Sequence, residues 1–255
     1  MSQNLISTSG ISASFVILTT IFFSFKAYKS NDVNQDPFSL AWTIMYIIII
    51  MLIEFFNNLS IASQICDGSS QNTFSVFIYT LVPNFLILGS IITIISALPG
   101  WLSPFSNTIG YFIVSCMGLS RNFNSLLKSA NGTGARALIT KIISDKSLVI
   151  NEMTPDNYTE FMQNLSNIFV KKYNTLPEYK NLYSLVVIKT LISEYIWYLL
   201  AGLLSISVSS HALSKLQCEY SPEEMKKTVA QLHEEEQEME SEKANNKPVL
   251  YSKNN

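Results

Sequence analysis

Two glutamates inside apolar stretches are the residues of this chain best placed to do chemistry. Glu54 directly follows nine consecutive apolar residues, and Glu194 lies in the apolar run 185–208. An acidic side chain at membrane depth is costly and typically marks a proton or ion path. Pro83 and Asn84, in another apolar run, would kink a helix so that it lines such a path. Glu54, Asn84 and Glu194 are therefore the candidate intramembrane polar residues of a small transporter or channel.

The same residues have a plainer interpretation, because the limits of an apolar run can slide along the sequence. Glu54 would then lie near a lipid headgroup, and Glu194 would lie at the mouth of a span running from Tyr195 to Ser214. Lys189, five residues before Glu194, would partly neutralise it. Membrane helices also tolerate proline as ordinary architecture. In this interpretation the acids mark helix ends and the protein moves no ion.

Residues for enzymatic chemistry are scarce. The chain has two histidines, His211 and His233, and neither has an evident nucleophile or acidic partner in the sequence. The cysteines Cys66, Cys116 and Cys218 are odd in number and widely spaced, giving neither a CxxC metal pair nor an even disulfide framework. We interpret them as ordinary small residues. We predict that the protein is not an enzyme and has no catalytic residue, cofactor or metal.

The elements that must position these residues are apolar runs about as long as a bilayer is thick. Residues 68–120 include no Asp, Glu, Lys or Arg, although 14% of the chain is charged. Roughly 20 apolar residues suffice for a helix to cross the hydrocarbon core. The continuity of the runs excludes amphipathic soluble helices and alternating barrel strands. We predict an all-α, polytopic membrane protein with about four transmembrane helices, which are Leu5–Phe25, Phe38–Phe56, Phe74–Leu98 and Leu185–Val208.

The first run begins near the N-terminus and has a signal peptide as its alternative interpretation. It lacks a positively charged region before the apolar residues, and it ends at Lys26 and Lys29. A full-length run with that ending is more typical of a retained signal anchor. We therefore expect it to remain as the first span.

Lysine and arginine are unevenly divided among the segments between the runs. Two lie in loop 26–37, none in loop 57–73, eight in segment 121–180 and six from Lys215 onward. The positive-inside rule places loop 26–37 in the cytosol, with the N-terminus and loop 57–73 across the membrane. With four spans, segment 121–180 returns to the cytosol and the tail lies on the side of the N-terminus.

The segment after the third run is the uncertain point of this topology. Pro99 and Gly100 break the helix, and residues 105–119 remain uncharged for 15 positions, which is short for a full span. Trp101 and Tyr111 favour the headgroup level. We interpret the segment as an interfacial or re-entrant corner. If it crossed the bilayer, the tail would change sides.

Segment 119–184 is large enough for a small helical subdomain. A turn at 132–134 precedes one helix, Thr154 and Pro155 suit the N-cap and first position of another, and Pro177 suits the start of a long helix into the last span. The apolar faces of the first two helices are Ala135, Leu138, Ile139, Ile142 and Ile143, then Phe161, Leu165, Ile168 and Phe169. Both faces are expected to pack on the membrane-proximal core.

The tail opens with a capping-box pattern at 221–224 and is strongly acidic through Glu242. A solvated helix that frays into a disordered end at 243–255 is preferred to a short coiled coil. The predicted division of the chain is 1–118 with three spans and the corner, 119–184 outside the membrane, 185–214 as the last span, and 215–255 as the tail.

Two short strings carry a resemblance to a known family. PGWLSPFSNTIGY occupies residues 99–111 and is followed by Gly118, and INEMTP occupies residues 150–155. Together with the multi-span layout, they resemble membrane proteins encoded by nucleocytoplasmic large DNA viruses, the giant viruses with an internal lipid membrane beneath an icosahedral capsid. The resemblance covers roughly residues 74–208 and implies no catalytic residues.

The resemblance implies a structural protein of the virion inner membrane, present also in host-derived membranes, that links the bilayer to capsid or minor capsid proteins. Its partners would be the lipid bilayer and capsid-layer or other virion membrane proteins, with a homo-oligomer possible and no nucleic acid. Physically, the first string suits a rigid corner, with prolines that restrict the backbone and aromatic anchors. Asn107 with Thr108 would cap the next helix. A loop that merely closes a helical hairpin is the alternative. The candidate corner or interface residues are Trp101, Pro104, Phe105, Asn107, Gly110 and Tyr111.

Overall fold

The computed structural model describes residues 2–29, 40–66, 73–127, 140–142, 144–216, 218, 226, 229–231 and 233–239, and this part of the chain is mostly helical. In those residues the extended backbone pairs only at an isolated bridge between Leu127 and Phe169. Within the same residues four helices are long and apolar enough to cross a membrane: Gly10–Lys29, Ala41–Ile65, Thr73–Ala97 and Pro177–Leu213. The prediction of an all-α polytopic protein with four such helices is confirmed.

The first three candidate spans are α1 (Ser2–Lys29), α2 (Leu40–Ile65) and a composite helix made of α3 (Thr73–Pro83), a π-helical stretch (Asn84–Gly89) and α4 (Ser90–Ala97). Pro83 has no N–H to donate within the helix, and the widened π turn directly follows it. The composite helix therefore carries the irregularity that the Pro83–Asn84 pair predicts.

The corner is a series of short turns: Pro99–Leu102, α5 (Ser103–Phe105), Ser106–Gly110 and α6 (Tyr111–Cys116). Gly118 follows with φ of 98°, a left-handed conformation that glycine adopts without strain, and α7 (Leu119–Leu126) begins after it. The predicted cap at Asn107 and Thr108 is wrong, since the Thr108 hydroxyl donates instead to the Pro104 carbonyl.

The segment beyond the corner is completed by α8 (Ser147–Ile150), α9 (Tyr158–Asn164) and two 3-10 turns, Ser166–Ile168 and Tyr173–Thr175. The predicted helix start at Pro155 is wrong, because α9 begins only at Tyr158. Thr154 nevertheless makes the hydrogen bonds of a capping residue: its amide donates to the Asn157 side chain at 2.8 Å, and its hydroxyl oxygen accepts from the Asn157 amide at 3.3 Å. The turn at 132–134, the helix face 135–139, Ile143 and the capping box at 221–224 lie outside the described residues.

The longest helix, α10 (Pro177–Leu213), has 37 residues and begins with its proline at the first helical positions, as predicted. At 1.5 Å per residue it is about 55 Å long, nearly twice the thickness of a bilayer core. Its part from Glu194 to Leu213 accounts for about 29 Å and matches one crossing. The remaining N-terminal part extends beyond the other spans.

Two hydrophobic cores share α10. The first, in the helical bundle formed by α1 to α4 and the second half of α10, is built from Phe15, Tyr46, Ile50, Leu88, Tyr198 and Ile206 among others. The second holds together what we name the outer subdomain, residues 119–127, 140–142 and 144–176, and includes Phe123, Ile150, Met153, Tyr158, Leu182 and Val186. One helix therefore joins the bundle and the outer subdomain without a hinge.

The outward faces of the bundle are apolar. Large apolar side chains are exposed along α1, α2, α3, the π-helical stretch and α10, among them Ile17, Ile21, Ile48, Leu52, Phe85, Leu200 and Leu204. Their extent exceeds what a water-soluble surface tolerates as one patch. This surface suits a lipid environment, whereas several polar residues of the same helices are buried, namely Thr19, Thr43, Glu54, Asn58, Thr80 and Asn84.

Candidate functional site

A buried ion pair closes one end of the bundle. Lys26, near the end of α1, donates from Nζ to both carboxylate oxygens of Glu194 on α10, at 2.9 Å each. The Lys26 and Glu194 side chains are 3% and 8% exposed. The Phe22 and Phe23 rings flank the ammonium group. The predicted neutralisation of Glu194 by Lys189 is therefore wrong, and its partner is 168 residues away in the chain.

Lys189 points away from Glu194 because five helical residues rotate a side chain by about 140°. Its Nζ donates to the Ile150 carbonyl at 2.8 Å and lies 3.5 Å from the Asn107 Oδ1 atom. Lys189 is 1% exposed. It therefore links α10 to the corner on one side and to the outer subdomain on the other.

A second polar cluster lies deep in the bundle around Glu54. The Asn84 side chain donates to Glu54 Oε2 at 2.6 Å. Asn58, one turn further along α2, donates to the hydroxyls of Thr80 at 2.8 Å and Ser209 at 3.0 Å. All five residues are buried. Glu54 is therefore buried inside the bundle, and it contacts Asn84, the residue with which the transporter interpretation groups it.

The two predicted acids do not share a site. Glu54 lines a small internal cavity together with Ile206, which is 12 residues beyond Glu194 on α10. That separation is about 18 Å along the helix axis. The second oxygen of Glu54, Oε1, is buried and accepts no hydrogen bond from the described residues, although Ser209 lies nearby. Glu54 and Asn84 form one cluster, and Glu194 belongs to another.

Hydroxyl groups occupy the bundle between these clusters. Thr19 and Tyr46 share a hydrogen bond of 2.9 Å between α1 and α2. The Tyr198 hydroxyl interacts with the side chains of Thr43 and Glu194. Buried polar groups therefore recur at several levels along the inside of the bundle, although the longest apolar runs of the chain build its helices.

A cavity of about 310 Å³ lies between the bundle end, the corner and the outer subdomain. It brings together the two strings that carry the resemblance, since 99–107 and 151–156 both contribute to its wall. Its polar lining includes Thr43, Ser103, Ser106, Asn107, Asn151, Asp156, Lys189 and Glu194. No sequence pattern indicates that the two strings would meet, because 38 residues separate them.

The aromatic corner residues are docked on α10. The Trp101 carbonyl accepts a hydrogen bond from the Trp197 indole at 2.9 Å, and the two rings lie 5.9 Å apart. The Phe105 ring contacts the same indole edge to face, at 5.1 Å. The Leu102 carbonyl accepts from the Ser193 hydroxyl. The predicted interfacial anchors therefore also fix the corner to the last span.

The remaining corner candidates lie further along α10, towards its N-terminus. Gly110 is buried so closely against α10 that a Cβ there would lie 2.7 Å from the Lys189 carbonyl oxygen. Tyr111 is partly buried against the core of the outer subdomain, and Pro104 is exposed. The corner thus runs beside the part of α10 that projects beyond the bundle, and it does not return through the bundle.

The opposite end of the bundle carries a disulfide between Cys66 and Cys218. Our interpretation of all three cysteines as ordinary small residues is therefore wrong for this pair. Leu213 and Leu216 pack beside it with Ala62 and Val76. Cys116 is free and exposed. Within the described residues, no three His, Cys, Asp or Glu side chains lie close enough together to hold a metal ion.

Comparison with known proteins adds no identification. No protein-family model, curated protein or solved structure matches this chain. The resemblance of the two strings to membrane proteins of large DNA viruses therefore stays a prediction. What is established is a helical protein with four helices suited to membrane crossing, a buried ion pair at one end and a polar cavity next to it.

Proposed function

We propose that this protein is a structural integral membrane protein that holds its outer subdomain against one face of a bilayer and links the membrane to a protein layer there. The observation that carries the proposal is the continuity of α10, which contributes Leu182, Leu185 and Val186 to the outer core and Tyr198, Ala201 and Ile206 to the bundle core. A force applied to the outer subdomain would pass directly into the membrane helices.

The buried polar contacts support the same role, because they lock elements together. Lys26 with Glu194 joins α1 to α10, and Lys189 joins α10 to the corner and to Ile150. Single buried polar groups of this kind contribute to one fixed packing arrangement when their partners are complete. A protein that transmits load gains from such fixed contacts.

The partner we propose is the capsid layer of a large DNA virus particle, with minor capsid proteins as the direct contact. This part depends on the resemblance of residues 99–111 and 150–155, and the fold is compatible with it. Lys141 and Lys171 of the outer subdomain are exposed and are available for contact with such a layer.

Amine-reactive crosslinking of intact particles, followed by mass spectrometry, tests the proposal. We expect crosslinks from Lys141 and Lys171 to capsid-layer proteins and none from Lys215, which is exposed at the disulfide end of the bundle. Lys141→Glu with Lys171→Glu should reduce incorporation into particles, while the matched charge reversal Lys215→Glu should not. Absence of the protein from purified, salt-washed particles ends the capsid proposal.

A small transporter or channel is the second candidate, and the Glu54 cluster favours it. A carboxyl group halfway through the bundle, with one oxygen lacking a hydrogen bond among the described residues, is the arrangement expected of a proton-accepting group. In this function Glu54 accepts and releases the proton and Asn84 holds its carboxylate by a hydrogen bond, while Glu194 serves only as the structural partner of Lys26.

Proton flux into proteoliposomes, followed with an internal pH-sensitive dye, tests this second candidate. Glu54→Gln should abolish flux, whereas Glu160→Gln, which changes an exposed acid in the outer subdomain, should leave it unaltered. A lack of flux by the unaltered protein across a pH gradient and a membrane potential rules the transporter out and leaves the structural proposal intact.

A further inference from the structure

We propose that the cavity between the bundle end and the outer subdomain binds a phosphate ester, with the headgroup of a membrane phospholipid as its occupant. The cavity has a volume of about 310 Å³, which suits a headgroup with its glycerol but not a whole lipid. The proposal is independent of what the outer subdomain contacts.

The charge in the cavity wall is the first argument. Lys189 is buried, and its two hydrogen bonds go to the Ile150 carbonyl and the neutral Asn107 amide oxygen. Among the described residues no carboxylate forms an ion pair with it, although exposed Glu152 acts on it from a greater distance. A buried ammonium group without a counter-charge is costly, and an anionic ligand in the cavity would supply that charge.

The acids that line the same cavity do not cancel this charge. Each carboxylate oxygen of Glu194 accepts a hydrogen bond from Lys26, so that the pair is neutral as a unit. Asp156 is exposed at the rim, where water screens it. Lysine binds phosphate as a point charge, and the Asn151 Oδ1 atom, which is buried without a hydrogen bond among the described residues, can accept from a headgroup hydroxyl or amine.

The depth of the cavity is the second argument. All three tryptophans of the chain lie at this end of the molecule: Trp101 and Trp197 contact each other beside the corner, and Trp42 contacts the Phe25 ring edge to face. Tryptophan favours the level of the lipid headgroups. Leu102 and Glu194 line the cavity, and the Ser193 hydroxyl, next to Glu194 in the chain, donates to the Leu102 carbonyl. The cavity therefore lies at the level of the tryptophans, where lipid phosphate is the most abundant anionic group.

The composition of the walls separates a lipid from a soluble phosphate compound. Besides the polar side chains, the cavity is lined by Ile95, Pro99, Leu102 and Met153. These apolar residues would contact the glycerol and the first methylene groups of a lipid, and a fully hydrated sugar phosphate would gain little from them. The wall therefore combines a charged group for the phosphate with apolar residues for the glycerol and the first methylene groups.

Native mass spectrometry of the full chain, extracted in mild detergent, tests the proposal. We expect one phospholipid to remain bound per chain. Lys189→Gln should weaken its retention about tenfold or more, the loss expected for one charged hydrogen bond. The matched control Lys180→Gln removes an exposed lysine from the same helix and should retain the lipid.

Ser103→Phe provides an independent variant in case Lys189→Gln fails to fold, because Ser103 is exposed at the rim and a phenyl ring there fills the cavity. It should also lose the lipid. After delipidation, thermal stabilisation by added phosphatidylglycerol identifies the lipid as the source, and equal stabilisation by glycerol 3-phosphate identifies a soluble ester instead. Lipid retention that neither substitution changes, or no retention and no stabilisation by any of these phosphates, overturns the proposal.

Discussion

Cys66 and Cys218 are joined by a disulfide although 152 residues separate them, and they tie the end of α2 to the chain just after α10. The pair closes a loop that contains the composite third span, the corner and the outer subdomain. Cross-linking a loop of this size restricts the unfolded chain, with a typical gain of about 2–4 kcal/mol. The disulfide therefore joins α2 to the end of α10 at one end of the bundle, and the ion pair joins α1 to α10 at the other.

Cys66→Ser should lower the stability of the bundle by about 2–4 kcal/mol. The measurement is the midpoint of thermal unfolding in detergent, followed by fluorescence-detected size exclusion. Cys116→Ser, which replaces the free and exposed cysteine, is the matched control and should not shift the midpoint. An equal midpoint for all three proteins under non-reducing conditions would show that the disulfide does not form.

The same disulfide leads to a prediction about sidedness. Disulfides persist in oxidising compartments, so the end of the bundle that holds Cys66 should face away from the cytosol. The count of basic residues gives the same orientation and places the outer subdomain in the cytosol. Cys116 lies at the outer-subdomain end and is free, so a membrane-impermeant maleimide should label it in inverted vesicles but not in intact cells. Labelling in intact cells would reverse the orientation.

The ion pair between Lys26 and Glu194 gives a prediction about energetics. Removal of one partner, by Lys26→Met or Glu194→Gln, leaves a buried group without its counterpart and should cost about 3–5 kcal/mol. The double variant Lys26→Met with Glu194→Met should be less destabilised than either single change, because no charge is left buried. A double-mutant cycle on unfolding midpoints measures this coupling, and strictly additive effects would contradict it.

Different parts of the molecule were predictable from the sequence to different degrees, for physical reasons. The four candidate spans were predictable from the length of the apolar runs alone. Pro177 predicted the start of α10, because proline has a fixed φ and lacks the backbone N–H that the first turn of a helix leaves unpaired. Thr154 and Asn157 exchange the two hydrogen bonds of a capping box, but the residues between them form a turn and α9 begins only at Tyr158. Local chemistry was therefore a good guide to which residues pair, and a poorer one to the residue at which the regular helix begins.

The long-range contacts were not predictable from one sequence. In the sequence, Lys26 only marks the end of the first apolar run, and its pairing with Glu194 depends on the packing of α1 against α10. The strings 99–111 and 150–155 line one cavity, and Lys189 of α10 forms hydrogen bonds with a residue of each string. Cys66 and Cys218 carry no spacing pattern that identifies them as a pair. In each case the partner is chosen by helix packing, which run length and periodicity do not encode.

The contact between Gly202 and Phe15 predicts a strong effect of adding one methyl group. A Cβ at Gly202 would overlap the Phe15 ring, which packs directly on the α10 backbone. Small residues at such positions let membrane helices approach closely. Gly202→Ala should therefore destabilise the bundle by about 1–3 kcal/mol, and Phe15→Ala in the same chain should recover part of that loss. Gly89→Ala is the control, since its Cβ would meet only an ordinary contact at 3.8 Å.

Tyr158, in the outer subdomain, gives a prediction about alkaline pH. Burial raises the pKa of its hydroxyl above the usual range, and Tyr179 and Tyr173 nearby add to the shift. The hydroxyl donates to the Tyr179 carbonyl at 2.8 Å, a bond that only the protonated form can make. The unfolded chain would release this proton near pH 10 while the folded subdomain retains it, so stability is full below about pH 10 and falls as the pH rises beyond it.

Unfolding of the outer subdomain between pH 8 and pH 11, followed by hydrogen exchange of α9 amides, measures this dependence. Tyr158→Phe should lose about 1 kcal/mol at pH 8 through its missing hydrogen bond, and it should then show a shallower decline above about pH 10. Tyr28→Phe, at an exposed tyrosine on α1, should follow the unaltered protein throughout. If the stability of the Tyr158→Phe protein fell as steeply with rising pH as that of the unaltered protein, another group would govern the alkaline transition, because phenylalanine has no proton to release.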